Sequence, residues 1–312
     1  MRCVLVGNYG VGNLGDEALK GYFLQRFPEV EWVTVSVHPG AGQVPRLPCG
    51  IRSLFQPWWS TVKAIRQADV VVFGGGTLFT DIESVYACIL WWWHVCVARA
   101  LGARVALEFQ GIGPFHTKIG EWFARSAVYR CHHISVRDKH SYSRVESWNL
   151  NRKIVQTFDP VILLLEDKKF DVRTKNIFTV IPRMNSGDSF RKRVQTLLKE
   201  HPEWTEVRIL SLAPDDPQEK QYCESIRALC SVPAQCIGVR TLEELTKNVQ
   251  TASYVLSERY HGALVALGLG VPFEVVQQKQ EDKLSSLRSQ DAAMCRALAQ
   301  QGESEFRSWL QR

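Results

Sequence analysis

Short apolar runs that end in glycine-containing or polar turns and lead into helical segments recur along this chain, and their alternation restricts the possible folds. The run RCVLV (2–6) precedes GNYGVGNLGDEAL, and VVVF (70–73) precedes GGGT. An unbroken apolar run of this length is typical of a strand that is buried on both faces of a parallel sheet. Strands that alternate with helices indicate βαβ units. The sequence therefore predicts the α/β class.

A charged interruption separates two such alternations. Residues 166–176, EDKKFDVRTKN, carry no apolar period, and the alternation restarts at NIFTVIPR. With 312 residues the chain is long enough for two domains of ordinary size. We predict an N-terminal Rossmann-like domain at residues 1–168 and a C-terminal Rossmann-like domain at 169–312. The last helices, at about 282–312, could cross back onto the first domain.

Composition and charge narrow the functional class. The chain is 45% hydrophobic and 22% charged, as is normal for a soluble globular enzyme, and its formal net charge is +6. This charge suits an anionic substrate or a membrane surface, but the sequence lacks the dense Lys/Arg stripe that predicts nucleic-acid binding. Nine cysteines without C-x-x-C or zinc-finger spacing indicate reduced, buried thiols, as in a cytoplasmic protein.

The most apolar segment is SVYACILWWWHVCVARAL. It falls short of the ~20 residues that a bilayer-spanning helix needs, and the apolar run at the N-terminus is too short for a signal peptide. Its three consecutive tryptophans cannot all face one core, so at least one is expected at a domain, subunit or membrane boundary. We expect a cytoplasmic protein, and peripheral contact at the inner face of the membrane stays open.

The first glycine-rich turn resembles a dinucleotide fingerprint, because Gly10, Gly12 and Gly15 match G-x-G-x-x-G. Two features oppose a nicotinamide cofactor. Asp16 and Glu17 fall in the first helical turn, where they would repel a pyrophosphate, and the second strand, EWVTVSVH, ends without an acid for a ribose hydroxyl. We interpret the glycines as permitting a tight turn between strand and helix.

Four turns lie at predicted strand ends, namely Gly10–Asp16, Gly74–Thr77, Arg137–Asp138 and Arg259–His261. Open α/β sheets bind ligands at the carboxyl ends of their strands. Arginine supplies a fixed positive charge and histidine can carry a proton near neutral pH. If these edges face each other across a cleft, the two arginines would line an anion site. Taken singly, these residues also fit a local salt bridge, a surface arginine and a capping histidine.

Six segments, in chain order, resemble the polysaccharide pyruvyl transferase family: NYGVGNLGDEAL, VVFGGGTLFTD, FQGIGP, ISVRDKHS, FDP and SERYHGALVALGLGVPF. The resemblance runs from about residue 5 to residue 283. It implies an α/β fold of two Rossmann-like domains that face each other across a cleft, as in GT-B glycosyltransferases. It also implies transfer of the pyruvyl (enolpyruvyl) group of phosphoenolpyruvate to hydroxyls of a sugar in a polysaccharide or glycan precursor. Such a reaction forms a pyruvate ketal and releases phosphate.

The same resemblance assigns the site residues. The R-x-H of the family corresponds to Arg259 and His261, its arginine after the strand ending in S-V-R to Arg137, and its lysine to Lys279. In this scheme the arginines bind the anionic donor, with Lys279 in reserve, His261 carries the proton to the methylene carbon, and Asp16 or Glu17 could deprotonate the sugar. We expect the substrates to contact Asn13, Asp16, Gly74, Gly75, Gly76, Thr77, Tyr260 and Lys279.

Some features leave alternatives open. Glu258 and Tyr260 depart from the usual family pattern around the R-x-H, as does VVQQ before Lys279. A GT-B glycosyltransferase that uses a nucleotide sugar would share the architecture, and so would a non-catalytic protein that binds a glycan or a lipid carrier. Phosphoenolpyruvate is the expected donor, with no metal or organic cofactor. The sequence does not identify the acceptor sugar, its lipid linkage or the oligomeric state.

Overall fold

A computed structural model of the chain describes residues 1–50, 53, 55, 57–165, 176–276, 284, 287, 288 and 290–312. Their contacts divide into two compact units. The first unit contains Met1–Val11, Asp16–Val161 and Arg296–Arg312, and the second contains Gly12–Gly15 and Ile162–Cys295. The boundary between the two units lies between Val161 and Ile162. The predicted boundary, at residue 168, lies outside the described residues.

Each unit is built on one parallel sheet, because every strand pairing in the described chain is parallel. The first sheet has seven strands and the second has five. The strands are β1 Arg2–Val6, β2 Glu31–Ser36, β3 Gln43–Pro45, β4 Val70–Phe79, β5 Arg104–Ile112, β6 His133–Val136, β7 Val155–Gln156, β8 Ile177–Ile181, β9 Glu206–Ser211, β10 Ala234–Gly238, β11 Tyr254–Ser257 and β12 Phe273–Val275.

Helices connect most successive strands, as βαβ units require, whereas β2 and β3 are joined by a loop. They are α1 Leu14–Arg26, α2 Trp59–Arg66, α3 Val85–Ala100, α4 Lys118–Arg130, α5 Lys139–Ser147, α6 Asp188–Glu200, α7 Pro217–Arg227, α8 Leu242–Gln250, α9 Tyr260–Gly268 and α10 Ala292–Leu310. Side chains of Ser84, Thr117, Asp138 and Thr241 accept backbone hydrogen bonds at the starts of α3, α4, α5 and α8. Such caps satisfy N–H groups that the helix itself leaves without partners.

Both sheets have the strand order of a doubly wound fold. The first runs β3-β2-β1-β4-β5-β6-β7 and the second runs β10-β9-β8-β11-β12. The order reverses between β1 and β4 in the first sheet and between β8 and β11 in the second, and ligands of such folds bind beside the carboxyl ends at this point. The predicted α/β class with two Rossmann-like units is confirmed.

The core of the first unit has two sides, one on each face of its sheet. Val4, Val71 and Val105 pack with residues of α2–α5, as right-handed crossovers dictate for those helices. The other side holds α1 and α10. There the Phe306 ring stacks edge-on against Phe27 at 5.3 Å between centroids. The first and the last helix of the chain thus pack on the same face of this sheet.

In the second unit, α9 explains the small-residue segment GALVALG. All seven residues from Gly262 to Gly268 are buried. A helix that is apolar all round belongs in an interior, and α9 packs into the same core as Ile181, Leu210 and Val255 of three strands. The helix is therefore held rigidly behind the turn that precedes it.

The tryptophan-rich segment forms α3, and its three consecutive rings differ in exposure as expected. Trp91 is buried, Trp92 is half-buried, and Trp93 is 39% exposed. Among the described residues, no helix combines the length and apolar character that crossing a bilayer requires.

Candidate functional site

The turn after β1 is stabilised by polar side chains of the following helix. Gly10, at φ +80°, donates its N–H to Oε1 of Glu17 at 2.7 Å, and the other carboxylate oxygen of Glu17 pairs with Lys20. Asn13 Oδ1 accepts the N–H of Gly15 at 2.9 Å, as an N-cap does. Glu17 and Asn13 are therefore both engaged in shaping the start of α1.

Asp16 lies between the turn after β1 and the glycine-rich part of β4. Its Oδ2 accepts a hydrogen bond from Asn8 Nδ2 at 3.2 Å, and a Cβ placed on Gly76 would lie 3.1 Å from its Oδ1. Arg46 Nη2 donates to Asn8 Oδ1 at 2.7 Å, and its guanidinium lies 4.9 Å from the Trp91 ring centroid. Burial lowers the pKa of Arg46, and the charge of Asp16 opposes that shift. Asp16 thus occupies the switch point of the first sheet.

The sequence predicted a turn at the triple glycine. In the structure the three glycines are part of β4 itself. Pairing with β5 continues through Gly74 and Gly76 to Phe79, with a shift of register between Gly76 and Phe79. Gln110 Nε2 donates to the carbonyl oxygens of Phe73 and Gly75, both at 2.9 Å, which ties this stretch to β5 although Gly75 and Gly76 have positive φ angles of 78° and 80°. A Cβ on Gly74 would lie 2.6 Å from the Tyr9 hydroxyl and 2.8 Å from Phe23. Glycine here permits close packing against neighbouring side chains.

Arg137, after β6, is almost fully buried at 4% exposure. Its Nη1 lies 2.5 Å from Oδ2 of the buried Asp159, and its Nη2 donates to Thr77 Oγ1 at 3.1 Å. Asp138, the neighbour in sequence, instead caps α5 by accepting the N–H of Ser141 at 2.8 Å. Arg137 therefore connects two of the predicted segments, GGGT and FDP, and its charge is balanced by Asp159.

Arg259 is the N-cap residue of α9, at the carboxyl end of β11. Its Nη2 pairs with the fully buried Glu219, and its Nε donates to the Pro182 carbonyl oxygen at 3.3 Å. Glu219 also accepts hydrogen bonds from Ser211 Oγ at 2.9 Å and Ala213 N at 2.8 Å, which hold the carboxylate in place. Nη1 of Arg259 has no hydrogen bond within the described part of the chain.

A second guanidinium accompanies Arg259. Arg183 follows β8, the strand next to β11, and its guanidinium makes no hydrogen bond or ion pair with the described residues. Burial lowers the pKa of Arg259, Glu219 opposes this shift, and the nearby positive charge of Arg183 adds to it. Two guanidinium groups therefore lie near each other at the switch point of the second sheet.

Glu258 has a structural contact that explains its departure from the family pattern. It is 2% exposed and accepts a hydrogen bond from Ser186 Oγ, while its own N–H donates to the Ile181 carbonyl at 3.0 Å. Ser186 Oγ in turn accepts the N–H of Arg183 at 2.8 Å. The acid thus joins the turn that carries Arg183 to the turn that carries Arg259.

His261, in the first turn of α9, packs against the loop that leads into α1. A Cβ placed on Gly15 would overlap Cε1 and Nδ1 of the His261 ring, so only glycine fits there. The Tyr260 ring stands edge-on to His261 at 5.3 Å between centroids. The second unit therefore brings together two segments that are distant in sequence, GNLGD and ERYHG.

The structure groups most of the predicted site residues at the two switch points, but not all of them are described. Lys279 lies outside the described residues. Sequence reasoning did not assign several polar neighbours to the site. Asn8 and Asp159 lie in the family segments NYGVGNLGDEAL and FDP, and Arg183 follows an apolar run. The described part of the chain contains no group of three or more His, Cys, Asp or Glu side chains placed to hold a metal. The missed residues are Asn8, Arg46, Asp159, Arg183 and Glu219.

The sequence profile of the polysaccharide pyruvyl transferase family matches residues 13–276 of the chain. The chain belongs to this family. The matched range includes the turn at Asn13, the Arg137 and Asp159 pair, and the Arg259 and His261 turn. The resemblance of the six segments is thereby confirmed, and membership of the polysaccharide pyruvyl transferase family implies a transferase that acts on polysaccharide.

Solved structures support the fold of this pyruvyl transferase family member. The UDP-GlcNAc 2-epimerase of Methanocaldococcus jannaschii superposes with a TM-score of 0.60 at 11% identity, covering 90% of this chain and 85% of the epimerase. The Rickettsia bellii UDP-N-acetylglucosamine 2-epimerase gives 0.59 at 12%, covering 100% and 97%. The Neisseria meningitidis enzyme bound to UDP-GlcNAc gives 0.55 at 12%, covering 90% and 84%. A search of curated proteins gave no match.

Proposed function

We propose that this chain transfers the pyruvyl (enolpyruvyl) group of phosphoenolpyruvate to hydroxyls of a sugar in a polysaccharide or glycan precursor, forms a pyruvate ketal and releases phosphate. The observation that carries the proposal is the juxtaposition of Arg183 and Arg259 at the switch point of the second sheet, with His261 in the adjoining first turn of α9. The two guanidinium groups can bind the negatively charged carboxylate and phosphate of phosphoenolpyruvate. The imidazole beside them can transfer a proton to its carbon–carbon double bond.

The donor carries a carboxylate and a phosphate, so it needs more than one cation. Arg259 has Nη1 available for a ligand because Glu219 and the Pro182 carbonyl engage its other nitrogens. Arg183 adds a guanidinium whose charge no described residue balances. Guanidinium groups bind carboxylates and phosphates through two parallel hydrogen bonds. We assign donor binding in the second unit to these two arginines, with Lys279 as a further predicted ligand.

His261 is the proposed proton carrier. A sugar hydroxyl oxygen attacks the central carbon of the donor, and the methylene carbon takes a proton from His261 to become a methyl group. The phosphate then leaves, a second hydroxyl of the sugar closes the ketal on the same carbon, and the proton of that hydroxyl returns to His261. A positioned acid or base of this kind contributes about 10²–10⁴-fold to the rate. The Gly15 backbone and the Tyr260 ring fix the imidazole in place.

Asp16 is favoured over Glu17 as the base that deprotonates the attacking hydroxyl. Glu17 is bound to the Gly10 N–H and to Lys20, so its removal would disturb the turn. Asp16 instead lies beside Asn8 and Gly76 at the carboxyl ends of β1 and β4. Arg137, whose charge Asp159 balances, is proposed to orient Thr77 in addition to its predicted part in donor binding.

The decisive experiment measures phosphate release from phosphoenolpyruvate by the whole chain. A panel of polyprenyl-linked and nucleotide-linked sugars serves as acceptors, and mass spectrometry of the products detects an added pyruvyl group. Phosphate release that depends on the acceptor supports the proposal. Release of a free nucleotide from a nucleotide sugar, without use of phosphoenolpyruvate, would establish the glycosyltransferase alternative instead. Acceptor binding with neither product would indicate a non-catalytic protein.

A further inference from the structure

Helices α3 and α4 present a continuous apolar surface on the outside of the first unit. We call this surface the aromatic face and define it by Tyr86, Ile89, Trp92 and Trp93 of α3 and Ile119 and Trp122 of α4. Trp122 is 59% exposed, Ile119 61% and Tyr86 49%. The half-buried Trp92 ring joins the helices, with its centroid 6.5 Å from that of Trp122. Large apolar side chains gathered on one exposed surface mark an interaction site.

A groove opens within the aromatic face. Side chains of α3, together with the loop that follows β3, line an open depression of about 340 Å³. The loop is fixed against α3 because Leu47 donates its N–H to Nε2 of the buried His94 at 3.0 Å. The groove is therefore a preformed feature that accepts an apolar group. Its lining includes Pro48, Cys49, Tyr86, Ile89, Trp92 and Trp93.

Basic residues outnumber acidic ones on the two helices that form the aromatic face. The sequences of α3 and α4 contain four basic residues, Arg99, Lys118, Arg125 and Arg130, and one acid, Glu121. Glu121 accepts a hydrogen bond from Trp148 Nε1 at 3.1 Å, next to the end of α5. The basic side chains are exposed. The apolar surface is therefore bordered by positive charge.

We propose that the aromatic face docks onto the surface of an anionic phospholipid membrane. Tryptophan and tyrosine place an apolar ring in the acyl boundary and a polar group at the headgroups. Lysine and arginine beside them attract the negative lipid surface, and the groove takes an apolar chain from it. A second copy of this chain, docked symmetrically through the same face, would bring the four bases of each copy together, which opposes association. This inference does not depend on the donor chemistry.

Flotation of the whole chain with lipid vesicles tests whether the aromatic face binds an anionic membrane. We expect binding to vesicles of phosphatidylglycerol and phosphatidylcholine, weakened by salt, and little binding to phosphatidylcholine alone. The double variant Arg125→Glu/Arg130→Glu should lower the partition coefficient by at least about 25-fold, since each base near an anionic surface contributes roughly fivefold. The double variant Lys220→Glu/Lys247→Glu makes the same change of charge on exposed sites of α7 and α8 and should leave binding nearly unchanged.

Quenching of tryptophan fluorescence by brominated lipid tests the same proposal without a change in the charge of the protein. Brominated phosphatidylglycerol should quench the tryptophan fluorescence of the wild-type chain, and Trp122→Phe should reduce the quenched fraction. Equal binding to both kinds of vesicle, or equal losses for the two double variants, would overturn the proposal. So would concentration-dependent self-association that Arg125→Glu/Arg130→Glu abolishes, since a second copy would then be the occupant. Circular dichroism confirms that each variant is folded before it is compared.

Discussion

His261 is the residue on which the proposed chemistry depends most directly. Its ring is held by the backbone at Gly15 and the edge of Tyr260, so its replacement leaves α9 and its buried residues intact. We expect His261→Ala to lower kcat for phosphate release by about 10²–10⁴-fold. His140→Ala, at an exposed position of α5, is the matched control and should retain full activity. Near-normal turnover by a folded His261→Ala variant would remove this residue from the mechanism.

Arg183 supplies the second prediction at this scale. Because its guanidinium has no partner among the described residues, its loss should leave the fold intact and weaken donor binding. We expect Arg183→Met to raise KM for phosphoenolpyruvate roughly ten- to a hundredfold, the loss of one hydrogen bond to a charged group, with a smaller change in kcat. Arg191→Met, which removes an arginine paired with Asp188 in α6, is the control. Steady-state kinetics with unchanged donor KM in Arg183→Met would contradict donor binding by this residue.

At the scale of elements, Arg137 and Asp159 connect β4, β6 and the segment after β7. Removal of one partner from a buried ion pair leaves the other charge unpaired in the interior. We expect Arg137→Ala to lower the free energy of unfolding by about 3–5 kcal/mol, because Asp159 is fully buried. The double variant Arg137→Met/Asp159→Leu removes both charges and should be more stable than Arg137→Ala. Urea unfolding measures the stability of both variants. Equal stabilities would mean that the unpaired charge of Asp159 does not cause the loss of stability in Arg137→Ala.

A buried histidine makes the contact between α3 and the loop after β3 sensitive to acid. His94 Nε2 accepts the Leu47 N–H at 3.0 Å and Nδ1 lies 2.8 Å from the Leu90 carbonyl oxygen, so the neutral ring fits both bonds. Burial lowers the pKa of His94 to about 4. As pH falls below the ordinary histidine pKa of ~6.5, His94 becomes protonated in the unfolded chain but stays neutral in the folded one. Stability is therefore lost as pH falls from ~6.5 to about 4.

The expected size of this loss follows from the linkage. Between pH 6.5 and pH 5 the wild-type chain should lose ~2 kcal/mol of stability through His94, at 1.36 kcal/mol per pH unit. The variant His94→Gln cannot titrate and should lack this part of the pH dependence. Urea unfolding at both pH values measures the difference between the two proteins. If both proteins lose the same stability between those pH values, the His94 ring is already charged in the folded state.

The sequence predicted the ends of strands better than the partners of the side chains found there. Arg137 and Arg259 were identified because each lies in a turn where a predicted strand ends and a helix begins. Asp159 was not identified as the partner of Arg137, since their pairing depends on neighbouring strands and not on a local pattern. The triple glycine was misread as a turn because glycine usually interrupts a strand. Here Gln110, from β5, supplies hydrogen bonds that keep it within β4.

At the scale of the whole molecule, the two sheets share the same order over five strands, but the chain path is not simply one unit after another. The path leaves the first unit at Val161 and returns to it at Arg296, so the C-terminal residues complete the N-terminal fold. Glu303, in α10, accepts hydrogen bonds from the Tyr22 hydroxyl at 2.8 Å and from Arg26 Nε at 3.0 Å. On this face of the first sheet, α10 therefore packs beside α1.

This path makes the stability of the first unit depend on a residue near the end of the chain. Phe306 is fully buried and packs against Phe23 and Phe27 of α1. We expect Phe306→Ala to lower the free energy of unfolding by about 3–5 kcal/mol, the cost of removing a buried aromatic ring. Leu24→Ala, on α1 but 41% exposed, should change it by less than about 0.5 kcal/mol. Urea unfolding followed by circular dichroism measures both variants. Equal effects would mean that α10 contributes no more to the first unit than an exposed side chain does.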